Sequence, residues 1–371
     1  MPPPSGAIRR LLLVRPDHVG DVLLTSPAVD QLRRALPAVH VTYLVGPWAA
    51  EVARHGPGPA TLASLDFPAF TRRTKRSLLA PYALLWREAA RLRLAHYDAA
   101  VVFRPDDWWG ALLVLAAGIP VRLGIRVPET EPLLTHALPP AAAGEHAAAL
   151  ALRLADLACQ TLSGAQPSRP PDGPIFRLTA AERGAADRLL APLDLGARGV
   201  VAVQPSAGAP LKSWPVERWA AVADDLAGSG AAVLLVGGPG DASLLLAIAA
   251  AMRAAPTALL SGQPLGVTAA VFARCALVVG LDGGAAHVAA AVGTPTVRLY
   301  GPADPRQFGP WPPAASQRLL VADGLACVPC GCLERPPCGA TTLPACLLAH
   351  DPRTVALAAR RALSQRGAAS T

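Results

Sequence analysis

The chain has 371 residues, 52% of them hydrophobic and only 16% charged, with a formal net charge of +8. That length exceeds one ordinary core and implies two domains of roughly 150 to 200 residues, while the composition excludes a disordered chain. Much of the apolar content is alanine and aromatics make up 5%, which favours alanine-rich helices over parallel sheets and disfavours an aromatic-rich β-sandwich.

The N-terminus, MPPPSGAIRRLLLVRPD, holds an apolar core of four residues ending at Arg15. This is too short for a secretory signal, so a cytoplasmic location is expected. No window supplies the roughly 18 uninterrupted apolar residues of a membrane span. LLLV at Leu11 reads as a strand, and Ser26 to Leu36 as a helix. VTYLV at Val41 and AAVVF at Ala99 read as further strands, with an arginine-rich helical stretch around Trp86 to Arg93 between them. The densest basic run is RRTKR, Arg72 to Arg76. No aromatic platform is interleaved with it, which argues against nucleic acid and leaves a plain solvated basic face, an anionic membrane surface or an acidic acceptor.

Ala141 to Leu162 reads as a long helix leading into a proline-rich linker, Ser163 to Pro174. The pattern then restarts, with strands at Val200, Ala232, Leu277 and Thr296, each closing in glycine, proline or a polar residue. The alternation predicts an α/β protein of two Rossmann-like domains with parallel sheets facing a central cleft. The boundaries read as 1–170, 175–350, and a C-terminal helix and tail over 351–371. Ligands of such sheets bind beyond the carboxyl ends of the strands, where Asp21, Gly237-Gly238 and Asp282 fall.

Three passages carry candidate chemistry. RPDHVGDVLLTSP places Gly20 and Asp21 where a buried strand hands over to a helix, so Asp21 is either a cap or a reagent. QPSAGAPLKSWPVERW sets Lys212, with Ser206 and Gly208, on a loop after a strand, where a lone lysine can neutralise a phosphate. GLDGGAAHVAAAVGTPTVRLYGPADP puts Asp282, Gly283, Gly284 and Ala285 at a helix start and His287 in its first turn. Helix N-termini present N–H groups and partial positive charge to anions. Neither G-x-G-x-x-G nor a Walker A sequence is present, so neither a dinucleotide nor a P-loop assignment fits.

Taken together and in this order, these passages resemble glycosyltransferase family 9, the bacterial heptosyltransferases of lipopolysaccharide assembly, from about Leu11 to about Asp351. The resemblance implies a GT-B fold, with the acceptor on the N-terminal domain and the nucleotide sugar on the C-terminal one. It also implies inverting transfer from a nucleotide-diphosphate donor, typically ADP-heptose, with no metal required for catalysis. Carried over by position, Gly20-Asp21 matches the family's Gly-Asp with the aspartate as general base, and Lys212 matches the lysine of K-x-W facing the donor phosphates. Asp282, Gly284 and His287 match Asp-x-Gly-x-x-His at the donor diphosphate and sugar. Asp17, His18 and Arg104 are further candidates for acceptor contacts, and Gly237-Gly238 with Asp241 for another wall of the nucleotide pocket. The position after Asp282, often Thr or Ser in the family, is here Gly283, which leaves the donor's identity open. A different nucleotide sugar, a sugar-nucleotide epimerase and an inactive scaffold are the competing readings.

Five of the seven cysteines lie in CVPCGCLERPPCGATTLPACL, Cys327 to Cys346. Such density in a cytosolic chain points to metal before disulfides. Four thiolates, Cys327, Cys330, Cys338 and Cys346, would suffice for a closed structural zinc site. Reduced thiols and an iron–sulfur role are the alternatives.

Overall fold

The computed structural model describes residues 8–71, 77, 79–164, 172–193, 195 and 199–369, the last four by backbone alone. The basic run Arg72 to Arg76 and most of the proline-rich linker lie outside the described residues. The chain divides into two compact units, the first ending at Ile175 and the second beginning at Phe176.

The first unit holds strands β1 (Arg10–Arg15), β2 (His40–Val45), β3 (Thr61–Ser64), β4 (Ala99–Val102), β5 (Val121–Ile125) and β6 (His136–Leu138). They pair in parallel in the order β3-β2-β1-β4-β5-β6. Its helices are α1 (Val19–Ala35), α2 (Ala50–His55), α3 (Ala80–Leu94), α4 (Trp108–Ala116) and α5 (Ala147–Ser163). The second unit holds β7 (Val200–Gln204), β8 (Ala232–Gly237), β9 (Ala258–Ser261), β10 (Leu277–Leu281), β11 (Thr296–Tyr300) and β12 (Gln317–Val321), in the order β12-β11-β10-β7-β8-β9. Its helices are α6 (Ala180–Leu190), α7 (Val216–Gly228), α8 (Ala242–Ala251), α9 (Leu265–Arg274), α10 (Gly284–Ala291), α11 (Pro305–Phe308), α12 (Ala345–Leu348) and α13 (Pro352–Ala369).

Both orders are the doubly wound 3-2-1-4-5-6 arrangement, whose direction reverses between β1 and β4 and again between β7 and β10. Residues leaving the carboxyl ends of those four strands occupy the switch points where such sheets bind ligands. The central strands form because they are uniformly apolar: Leu11 to Val14 are fully buried, as sandwiching between two helical layers requires.

Helix α1 begins at Val19, seven residues ahead of the helix expected from Ser26, so Gly20 and Asp21 sit in a helical first turn instead of a loop. The expectation failed at Pro27, which lies inside α1 and reads as a helix breaker. Proline removes the N–H that would bond the Leu23 carbonyl. The Ser26 hydroxyl donates to that carbonyl at 2.6 Å instead, and the helix continues. Helix α5 starts six residues later than expected, at Ala147, where His146 caps it by accepting from the Ala148 amide at 3.1 Å.

Candidate active site

In the first unit, the turn leaving β1 places Arg15, Asp17 and Asp21 in a connected series. Asp17 is buried, 4% exposed. It takes Arg15 Nε at 2.9 Å on one oxygen and Arg104 on the other. Arg104 arrives from the end of β4 and also holds Asp106, Nε to Oδ1 at 2.6 Å. Its guanidinium stacks over Phe70 at 4.8 Å. Burial alone would lower the Arg104 pKa, but Asp17 and Asp106 outweigh it and raise the pKa further above its ordinary value. Arg104 and Asp17 are thus committed to each other, which limits what either offers an acceptor.

Asp21 differs. Its Oδ1 stands 3.8 Å from Arg15, inside ion-pair range but beyond hydrogen-bond distance, and its side chain is about one-third exposed. The N-cap position of α1 falls on His18, which makes no side-chain cap bond. The His18 ring lies edge-on to Trp48, 5.7 Å between centroids, and to Phe70 at 6.3 Å. Trp48 Nε1 donates to the Asp17 carbonyl at 2.9 Å, fixing the turn that carries all three residues. Of the two tryptophans after β4, Trp109 is buried edge-on to Phe67 at 5.9 Å, whereas Trp108 is exposed.

In the second unit, Lys212 Nζ meets Asp282 Oδ2 at 2.6 Å. This joins the loop after β7 to the end of β10 across the switch point. Gly280 is required there: a Cβ would come within 2.7 Å of the Gln204 carbonyl. Gln204 donates to the Ser206 hydroxyl at 2.8 Å, and Ser206 donates to Asp241. Asp241 also accepts from the Gly238 amide at 2.7 Å, which ties the loops after β7 and β8 together. Gly208 lies on the same loop as Ser206, between β7 and Lys212.

Helix α10 opens at Gly284 with Gly283 as its N-cap, and no side chain caps it. The amides of Gly284, Ala285 and Ala286 have no carbonyl within their own helix to bond, so an anion can be bound there. His287 is buried in the first turn, its Nδ1 3.4 Å from the Arg298 guanidinium. Arg298, absent from the sequence reading, is fully buried on β11. It donates to Thr296 Oγ1 at 2.9 Å, the Ala286 carbonyl at 3.0 Å and Gln317 Oε1 at 3.1 Å. Burial lowers its pKa, while Tyr300 and Asp282 oppose the shift. Its place in an apolar strand-like run, TVRLY, was the available signal: a charge inside a buried strand must have partners.

Cys327, Cys330, Cys338 and Cys346 all line one cavity of about 10 Å³, together with Leu211 and Pro302, and Cys332 does not. That volume is at the lower limit for a single water molecule. Even so, among the described residues no three His, Cys, Asp or Glu side chains stand close enough together to hold a metal ion.

Two doubly wound sheets, with a Lys–Asp pair and an uncapped helix start at the second switch point, define a two-unit α/β protein of the GT-B class. Residues 85–335 match the model of glycosyltransferase family 9 (heptosyltransferase), and the chain belongs to that family and is a glycosyltransferase. It is similar to lipopolysaccharide heptosyltransferase 1 of Pseudomonas aeruginosa, 28% identical over 86% of each chain. Among solved structures it resembles a family 9 glycosyltransferase from Veillonella parvula, with TM-score 0.76, 23% identity, and 97% of this chain and 99% of that one covered. It also resembles the E. coli ADP-heptose lipopolysaccharide heptosyltransferase II, with TM-score 0.72, 22% identity, and 96% and 99% covered. No helix among the described residues is long and apolar enough to cross a membrane.

Proposed function

We propose that this glycosyltransferase moves a heptose from ADP-heptose, with inversion, onto a lipopolysaccharide-core or other cell-surface glycan acceptor. The observation that carries the reading is the second switch point, where Lys212 is held at 2.6 Å from Asp282 beside the uncapped start of α10. A leaving diphosphate needs fixed positive charge and N–H donors as its own negative charge develops, and Lys212 with the Gly284 to His287 turn provides both. Its likeness to lipopolysaccharide heptosyltransferases, one of them an ADP-heptose enzyme, supports the donor and acceptor class. Asp21 is the proposed general base: it stands in the first turn of α1 just beyond β1, about one-third exposed, at the position that matches the family's Gly-Asp. A sugar hydroxyl needs such a proton acceptor as it attacks.

The test is ADP release from ADP-heptose with a heptose-deficient lipopolysaccharide-core acceptor. Release that requires the acceptor and is lost in Asp21→Asn supports the proposal; acceptor-independent release, or full activity in Asp21→Asn, contradicts it. A structural zinc ion is further proposed for the four cysteines that share one cavity, although as placed no three of them stand close enough to hold it, so binding would require them to draw together. Metal analysis of purified protein, expected at one zinc per chain and lost in Cys338→Ser, tests it. A metal-free, fully folded protein would leave four reduced thiols.

A further inference from the structure

Helices α3 and α4 cover the same side of the first sheet. Leu85 and Ala89 of α3 share one core with Trp109, Leu113 and Val114 of α4 and with Leu12, Val14, Ala100 and Val102 of the strands. Their outward faces therefore point the same way. On those faces stand Leu79 at the α3 N-cap, Tyr82, Trp86, Leu94, Trp108 and Leu115, with Trp86 63% and Leu79 73% exposed. These six are all the large apolar side chains that the first unit exposes among its described residues; α1, α2 and α5 expose none. Leu79, Tyr82 and Trp86 follow one another at three- and four-residue spacing, so they form a row along one helix face.

The exposed charge of α3 has a single sign. Arg87, Arg91 and Arg93 are exposed on α3. The only acid in α3, Glu88, is buried beneath Arg87 and Arg91 at 3.0 and 2.9 Å. Helix α4, WWGALLVLA, has no charged residue. Asp106, ahead of α4, is paired with Arg104.

We infer that the outer face of α3 and α4 docks the protein on an anionic lipid bilayer. Tyr and Trp join an apolar body to a polar tip and settle at headgroup depth. Arginine adds bidentate contacts to lipid phosphates. A helix that shows apolar and arginine side chains to solvent, with no exposed acid, has the make-up of an interfacial helix. The inference deepens the proposed function, because a glycolipid acceptor is presented at such a surface. Binding through so small a patch without a lipid anchor is reversible and weakened by salt.

The experiment is flotation of the full chain with phosphatidylcholine vesicles made with and without phosphatidylglycerol, at low and high salt. The wild type is expected to float with the anionic vesicles at low salt and to be released at high salt. The Tyr82→Ser, Trp86→Ser double variant should partition about tenfold more weakly while its melting curve and ADP affinity match the wild type. Failure of the wild type to float with anionic vesicles would overturn the inference, as would a double variant that floats equally well. A change in the variant's mass by light scattering would also overturn it, making the face a contact between copies. Lipid binding is read without turnover, so this result is independent of the donor and acceptor assignment.

Discussion

Asp17 and Asp21 sit four residues apart and are put to different uses. Asp17 is buried between Arg15 and Arg104, and losing a partner of a buried ion pair costs about 3–5 kcal/mol. Asp17→Asn is therefore expected to lower the urea midpoint sharply. Asp21→Asn should leave the midpoint near wild type, because Asp21 is partly exposed. In turnover assays it should reduce kcat by roughly 10²- to 10⁴-fold at unchanged ADP affinity. The reverse pattern would make Asp17 the reagent. Gly283 offers a gain-of-contact test. Its backbone is extended, φ −179°, and a Cβ there would meet Ala207 Cβ at an ordinary 3.7 Å. Gly283→Ser should fold normally and bind ADP some three- to tenfold more tightly, about one hydrogen bond's worth, as titration calorimetry would show. Weaker binding would mean that the helix start needs the space.

At the scale of elements, the cap of α4 couples stability to pH. Asp107 accepts from the Gly110 amide at 2.9 Å, yet burial pushes its carboxyl up from 3.8 to about 6. A folded-state pKa above the unfolded value means that the native protein binds the extra proton. This contribution is full below about pH 4 and is lost as pH rises through 6, by at most about 3 kcal/mol. Asp107→Asn retains a cap oxygen without the ionisation, so its stability relative to wild type should rise between pH 4 and 7. Urea midpoints measured across that range decide it, and a constant difference would refute it.

The central strands were legible in the sequence because they are uninterrupted apolar runs buried on both faces. Strands β3, β5, β6, β9 and β12 were not, since short or half-exposed strands such as TLAS and QRLLV carry little pattern of their own. The start of α1 was hidden by Pro27, whose cost is offset by a Ser26 hydrogen bond that only coordinates show. Asp21, Lys212, Asp282 and His287 could be named from motif order, and the structure places the last three around one switch point. Arg298 left one signal, a charge inside an apolar run, but its partners and the Asp17–Arg104 pairing could not be read, because only the folded chain brings them together.

Across the whole molecule, the same strand order occurs twice, and chemically useful residues collect at the reversal in each sheet: Asp21 near the end of β1, Lys212 and Asp282 between β7 and β10. The net charge of +8 suits a protein whose proposed donor and acceptor surface are both anionic. The second unit is proposed as the site for an adenine nucleotide diphosphate. The most direct test is titration calorimetry of ADP, UDP, GDP and CDP into wild type and Lys212→Met, with thermal stabilisation as a parallel readout. ADP is expected to bind in clear preference to the other three, and Lys212→Met to weaken it at least tenfold, about 1.4 kcal/mol. Equal affinity for all four nucleotides, or ADP binding unaffected by loss of the lysine, would contradict it.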